Sequence, residues 1–197
     1  MDKTTLAAYD ADPAGYARSW DTQPPPDDMY EQLRTWFTPG PTAEIGTGSG
    51  RDAAWLAARG FDVHGFDASA GLLAQARAAH PGIPFDHATL PELAGVARGA
   101  WQNVLCETVI MHLDVAQIAP SVRTLLALLR PGGTLYLSWR VTPDASTRDP
   151  AGRLYAAFDK SLVTSALAPG DEIVFDEDAT SVASGKRLQR LVIRRAS

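Results

Sequence analysis

The chain has 197 residues, 45% of them hydrophobic and 21% charged, with a formal net charge of −5 at neutral pH. That length supports one substantial core with small additions rather than a core plus a separate substrate domain. The acidic balance argues against a sequence-independent grip on nucleic acid, and a lone cysteine, Cys106, excludes an internal disulfide and disfavours a structural zinc site.

In chain order, Pro13 opens a short helix over about residues 13–20, and Pro24-Pro25-Pro26 is a stiff linker. Asp27 then caps a helix carrying Tyr30, Leu33, Trp36 and Phe37 on one side, ended by Thr38-Pro39-Gly40-Pro41. Beyond it, β-type runs fall at about 42–46, 61–66, 83–86, 101–106 and 133–139. Helical patterns lie between them at about 50–59, 69–79, 90–97 and 115–129. The clearest stripe is Val115, Ile118, Val122, Leu125, Leu126 and Leu129, stopped by Arg130-Pro131-Gly132-Gly133. Residues 150–167 carry Leu154, Phe158, Leu162 and Leu167 at roughly helical spacing. Two β-type runs follow, Glu172–Phe175 and Leu188–Ile193, too close for a crossover helix and so antiparallel to each other.

Strand–helix alternation predicts an α/β fold: a doubly wound, Rossmann-like, seven-stranded mixed sheet with helices on both faces and its last strand antiparallel. Residues 1–197 read as one domain, with an N-terminal helical lid over 1–40, a cofactor-binding core over 41–140, and a C-terminal helix plus antiparallel strand pair over 141–197. Basic residues gather at Lys186, Arg187, Arg190, Arg194 and Arg195, where a solvated final strand is the simpler explanation than a binding patch. No apolar run reaches the ~18 residues that cross a bilayer. The N-terminus lacks a charged-then-apolar leader, so a cytoplasmic location and no membrane partner are expected.

The chemistry concentrates where Glu44-Ile45-Gly46-Thr47-Gly48-Ser49-Gly50 ends one strand and Phe66-Asp67 ends the next. Glycines let the backbone turn sharply and approach a ligand, the following helix aims free N–H groups at it, and Asp67 can accept from both hydroxyls of a ribose. Gly48 to Ala53 also fits a dinucleotide fingerprint, but Glu44 and Asp52 beside the loop are poor company for a pyrophosphate. S-adenosylmethionine carries no phosphate, and its sulfonium and ammonium suit a nearby acid better.

The chain resembles the class I S-adenosylmethionine-dependent methyltransferases of small-molecule type over nearly its whole length. Glu44 to Gly50 is similar to their first motif, Asp67 to their ribose-binding acid, Val109-Ile110-Met111-His112-Leu113 to the segment after strand four, and Leu128 to Leu135 to the entry into strand five. The resemblance implies that Gly46, Gly48 and Gly50, with Thr47, shape the methionine pocket and that Glu44 holds the loop. It puts Ala68 or Ser69 beside the adenine, although Ser69 equally suits a helix cap. Asp86 could meet the adenine amine, with Thr89 in the other common slot. Strand four opens with Trp101-Gln102 where the family often has Phe-Asp, and no Asn-Pro-Pro-Tyr follows it, which disfavours methylation of DNA adenine. His112 is the candidate base, or a histidine packing against cofactor or backbone; Glu107 is placed to touch cofactor or substrate. Arg140 could meet an anionic acceptor or lie on the surface, and Tyr9, Tyr16 and Trp20 could close over the cofactor or staple the N-terminal helix. No metal is implied, and the acceptor is expected to be a small molecule. A Rossmann-type NAD-dependent oxidoreductase and a non-catalytic S-adenosylmethionine sensor are the alternatives.

Overall fold

The computed structural model describes all residues, 1–197. Its centre is a seven-stranded sheet built from β1 (Pro41–Ile45), β2 (Asp62–Asp67), β3 (Phe85–His87), β4 (Trp101–Cys106), β5 (Leu129–Arg140), β8 (Glu172–Thr180) and β9 (Arg187–Arg194). The spatial order is β3-β2-β1-β4-β5-β9-β8. The first five strands pair in parallel, and β9 runs antiparallel to both β5 and β8. One strand is therefore reversed, as expected: it is the last in sequence but lies one place in from the edge.

Side chains alternate across this sheet, and each face is buried under helices. Val104, Leu135, Leu137, Leu191 and Ile193 face α6 (Val115–Leu128), which contributes Ile118, Val122, Leu125 and Leu126. Val115, predicted on that stripe, is exposed at the first helical position. Leu105, Tyr136 and Val192 point the other way, toward α3 (Asp27–Trp36), α4 (Arg51–Ala57) and α5 (Ala70–Ala79). Gln102 Oε1 accepts from Arg130 Nε at 2.5 Å, which ties β4 to β5 through a neutral–charged pair.

Three segments depart from the sequence reading. Residues 90–97 form turns rather than a helix, because Leu93 (φ 46°) and Gly95 (φ 85°) are left-handed; Leu90, Leu93 and Val96 are buried all the same, which is why the run looked helical. The 150–167 helix shrinks to one turn, α7 (Ser161–Thr164). Ahead of it β6 (Thr147–Arg148) and β7 (Leu154–Tyr155) make a small hairpin turning at Gly152 (φ 89°). Third, β9 is not a solvated strand: sandwiched between β5 and β8, it buries Arg190, which ion-pairs with Asp28 and Glu177.

The N-terminus holds two helices, α1 (Lys3–Ala11), which the sequence reading missed, and α2 (Pro13–Asp21), capped by Asp2 and Asp12 through Thr5 N at 2.8 Å and Gly15 N at 2.9 Å. α1 and its cap are moored to the loop after β2 and to the β6–β7 hairpin. Ser69 Oγ donates to Asp10 at 2.5 Å, Leu154 N donates to Thr5 Oγ1 at 2.8 Å, and Arg148 pairs with Asp2 at 2.8 Å.

Candidate active site

The loop from β1 into α4 is fixed by backbone bonds across to β2. Gly46 N and Thr47 N both donate to Phe66 O, at 2.7 and 3.0 Å, and Thr47 Oγ1 donates to buried Glu44 at 2.6 Å. A Cβ would be strained and crowded at the loop glycines. Gly46 (φ 79°) would place a Cβ 2.2 Å from Val109, and Gly48 (φ 56°) would place one 2.9 Å from the Trp20 ring. Asp67 is held at the tip of β2 by Gly48 N at 2.9 Å on one oxygen and Ser69 N at 2.8 Å on the other. A carboxylate so anchored keeps further lone pairs on each oxygen for incoming hydroxyls.

Two cavities lie over the strand tips. The smaller, about 90 Å³, is lined by Asp67, Ser69, Leu72 and Val109 among others. The larger, about 240 Å³, reaches across β4 and β5 to Arg140, Arg153, Tyr155 and Lys186. Tyr9, Trp20, Gly46, Gly48, Glu107, Thr108 and His112 line both. The structure thus brings together Glu44, Gly46, Thr47, Gly48, Asp67, Ser69, Glu107, His112, Arg140, Tyr9 and Trp20. Ser69 is also a true helix cap, accepting from Leu72 N at 3.0 Å.

Four predicted residues stand outside the cavities. Gly50 caps α4, and Ala68 is buried behind the rim. Tyr16 packs edge-on against Tyr9 at 4.9 Å, stapling α2 to α1. Along β3 Phe85 turns inward and Asp86 outward, where its 66% exposed side chain pairs with His64 at 2.8 Å.

His112 is 3% exposed with both ring nitrogens engaged. Nδ1 lies 2.5 Å from Leu154 O, which can only accept, so Nδ1 carries the proton and Nε2 accepts from Tyr9 Oη at 3.1 Å. Burial lowers its pKa to about 4. A histidine tied in this way fixes Tyr9 and the β7 backbone and has no free lone pair to serve as a base.

The two ends of the larger cavity differ in character: carboxyl groups, one of them paired with Arg51, gather at one and cations at the other. At the β1–β4 end stand Glu44, Asp52 and Glu107. Burial, then repulsion from Asp52, lifts Glu44 well above the carboxylate range. Asp52 accepts from Tyr30 Oη at 2.7 Å and pairs with Arg51 at 2.9 Å. Glu107 accepts from Ser138 Oγ, and burial raises it to about 7. Burial likewise raises Asp67, against its backbone N–H bonds. At the β5 end stand Arg140, Arg153 and Lys186. Sequence reasoning missed Arg153 and Tyr155, which lay inside a segment read as helix, and it missed Ser138, whose role appears only once β5 is paired with β4. Thr108, too, gave no signal. It holds a left-handed conformation (φ 55°) unusual for a β-branched residue, its N–H donating to Ser138 O at 3.2 Å, so strain is stored on the wall between the cavities.

Residues 43–133 match the model of a family described as a methyltransferase domain. No curated protein matches the chain by sequence. Among solved structures, the chain is similar to the 1,6-didemethyltoxoflavin-N1-methyltransferase of Burkholderia thailandensis, with 1,6-didemethyltoxoflavin and S-adenosylhomocysteine bound (18% identity, TM-score 0.74, covering 98% of this chain and 88% of that one). It is also similar to S-adenosylmethionine-dependent methyltransferases of Methanosarcina mazei (15%, 0.71, 84% and 97%) and Mesorhizobium loti (19%, 0.69, 85% and 97%). At these identities the likeness establishes a shared fold. The residues present fit the cofactor such enzymes use: a Cβ would be crowded in the glycine cradle, Asp67 is braced where a ribose would lie, and an acid cluster awaits a cationic, phosphate-free end. The family match thus covers the strands and loops that build this crevice, and the solved structures share the fold that holds it.

Proposed function

We propose that the chain transfers a methyl group to a small-molecule acceptor by in-line displacement, and that it does so in the cytoplasm. One observation carries the reading: Glu107 and Thr108 form a wall common to the nucleoside crevice and to a cavity of only about 240 Å³. That volume suits a small acceptor. When bound, S-adenosylmethionine supplies an activated methyl and a neutral leaving group, so the protein needs neither nucleophile nor metal. Asp67 takes the ribose hydroxyls, and Glu44, through Thr47, keeps the glycine loop in shape. Trp20 and Tyr9 roof the crevice and exclude water, with Tyr9 held in place by His112.

Glu107 is the base we assign, in place of His112. It stands where acceptor and methyl would meet, one oxygen is held by Ser138, and a pKa of about 7 suits proton removal near neutrality. Proximity and alignment supply the rest of the rate, an effect worth up to about 7–11 kcal/mol in favourable cases. The test is transfer of a labelled methyl group across a panel of small hydroxyl, amine and thiol acceptors, alongside calorimetric titration of S-adenosylmethionine and NAD. Turnover with saturable S-adenosylmethionine binding is the expected result. Binding without turnover on any acceptor would point to a sensor, and saturable NAD binding alone would overturn the reading.

A further inference from the structure

Arg140 ends β5 with its guanidinium 4.7 Å from the centre of the Tyr155 ring, and it makes no ion pair or hydrogen bond within the chain. Arg153 lies by the same ring at 5.9 Å, but it is paired with Asp149 at 2.7 Å. Lys186, in the turn before β9, also lines the cavity, exposed and without an ion-pair partner. Positive charge is thus gathered at one end of a half-enclosed cavity with too few anions to balance it. The Tyr155 ring is the only partner of the Arg140 guanidinium, whereas Arg190 reaches a carboxylate and Arg130 an amide carbonyl.

Its place along the sheet separates it from the cofactor's cradle. The glycine loop rises from β1, whereas Arg140 rises from β5, two strands away and hence about 10 Å across the sheet. We propose that the methyl acceptor carries an oxyanion, a carboxylate or a phosphate, held by Arg140 with Lys186 at the cavity mouth. A planar guanidinium already stacked on an aromatic face is preorganised to meet such a group with two parallel N–H bonds. The acceptor is then oriented by its charged end while the atom to be methylated points back toward Glu107.

This inference rests on the methyltransferase reading, and the experiment separates the two. Calorimetry on protein saturated with S-adenosylhomocysteine measures binding of benzoate, phenyl phosphate and the neutral benzamide. Benzoate or phenyl phosphate should bind, whichever fits better identifying the oxyanion, with benzamide at least about tenfold weaker. Arg140→Met should weaken the anion about tenfold or more without changing affinity for S-adenosylhomocysteine, and Arg140→Lys should restore part of the loss. Lys186→Ala, at an exposed turn, should weaken it by a few fold. Failure of the wild type to bind S-adenosylhomocysteine would sink the cofactor reading itself. If it binds and neither anion does, if benzamide binds equally well, or if Arg140→Met weakens S-adenosylhomocysteine instead, the oxyanion subsite is refuted.

Discussion

The acid end of the cavity and the basic end are built in opposite ways. Glu44 and Asp52 come from a run of nine residues along one strand, loop and helix, Glu107 joins them from the end of β4, and every carboxylate there is held by a hydrogen bond. Arg140, Arg153 and Lys186 come from a strand end, a hairpin and a turn far apart in the chain, and two of the three have no ion-pair partner. The contrast is between a surface committed before any ligand arrives and one left open for it. A cofactor shared by a whole family calls for the first. An acceptor particular to one enzyme calls for the second.

That contrast can be broken at its rigid end most severely. Gly46→Ala puts a methyl 2.2 Å from Val109 at a left-handed φ, and should destabilise the fold by about 2 kcal/mol or more while abolishing S-adenosylmethionine binding, as read by denaturant unfolding and calorimetry. Glu107→Gln probes the wall between the two ends. The turnover rate should fall about 10²–10⁴-fold with cofactor affinity little changed. In the wild type the base works only when ionised, so turnover should rise as pH climbs through about 7, and in the variant that rise should vanish. A pH-independent wild-type rate would remove Glu107 from the mechanism.

His112 sharpens the comparison through stability. Its folded pKa of about 4 lies below the ordinary 6.5, so between those values the unfolded chain binds the extra proton. The stability it confers is complete above about pH 6.5 and is lost as pH falls toward about 4, by at most about 3 kcal/mol. His112→Asn should flatten that slope in urea titrations across pH 4–7. The smallest change is Tyr9→Phe, which removes the hydroxyl that reaches His112 and Arg153 and should lower unfolding free energy by about 1 kcal/mol.

Local chemistry made the centre of the molecule legible in advance. Glycines at 46 and 48, acids at 44 and 67, and the apolar stripe of α6 act through neighbours a few residues away or through a strand–helix period. Those interactions survive translation into a one-dimensional pattern. The family resemblance drew on the same stretch.

Elsewhere, long-range pairing overrode the local signal. Residues 90–97 and 150–167 had helical spacing, yet left-handed Leu93 and the Gly152 turn gave most of them other shapes while the same apolar side chains still reached the core. Asp86 and Arg190 changed meaning with strand position, one turned out to solvent by the alternation of β3, the other drawn inside because β9 is flanked on both edges. His112 looked like a free base until Tyr9 and Leu154, 103 and 42 residues distant, closed on its two nitrogens. What residues alone determined was where the glycine loop meets Asp67, since a loop fixed by backbone bonds and one acid leaves its mark in a single segment. Which side chains line the far end of the larger cavity was decided only when β5, the hairpin and the turn before β9 met in space, because charge acts across distance and not along sequence.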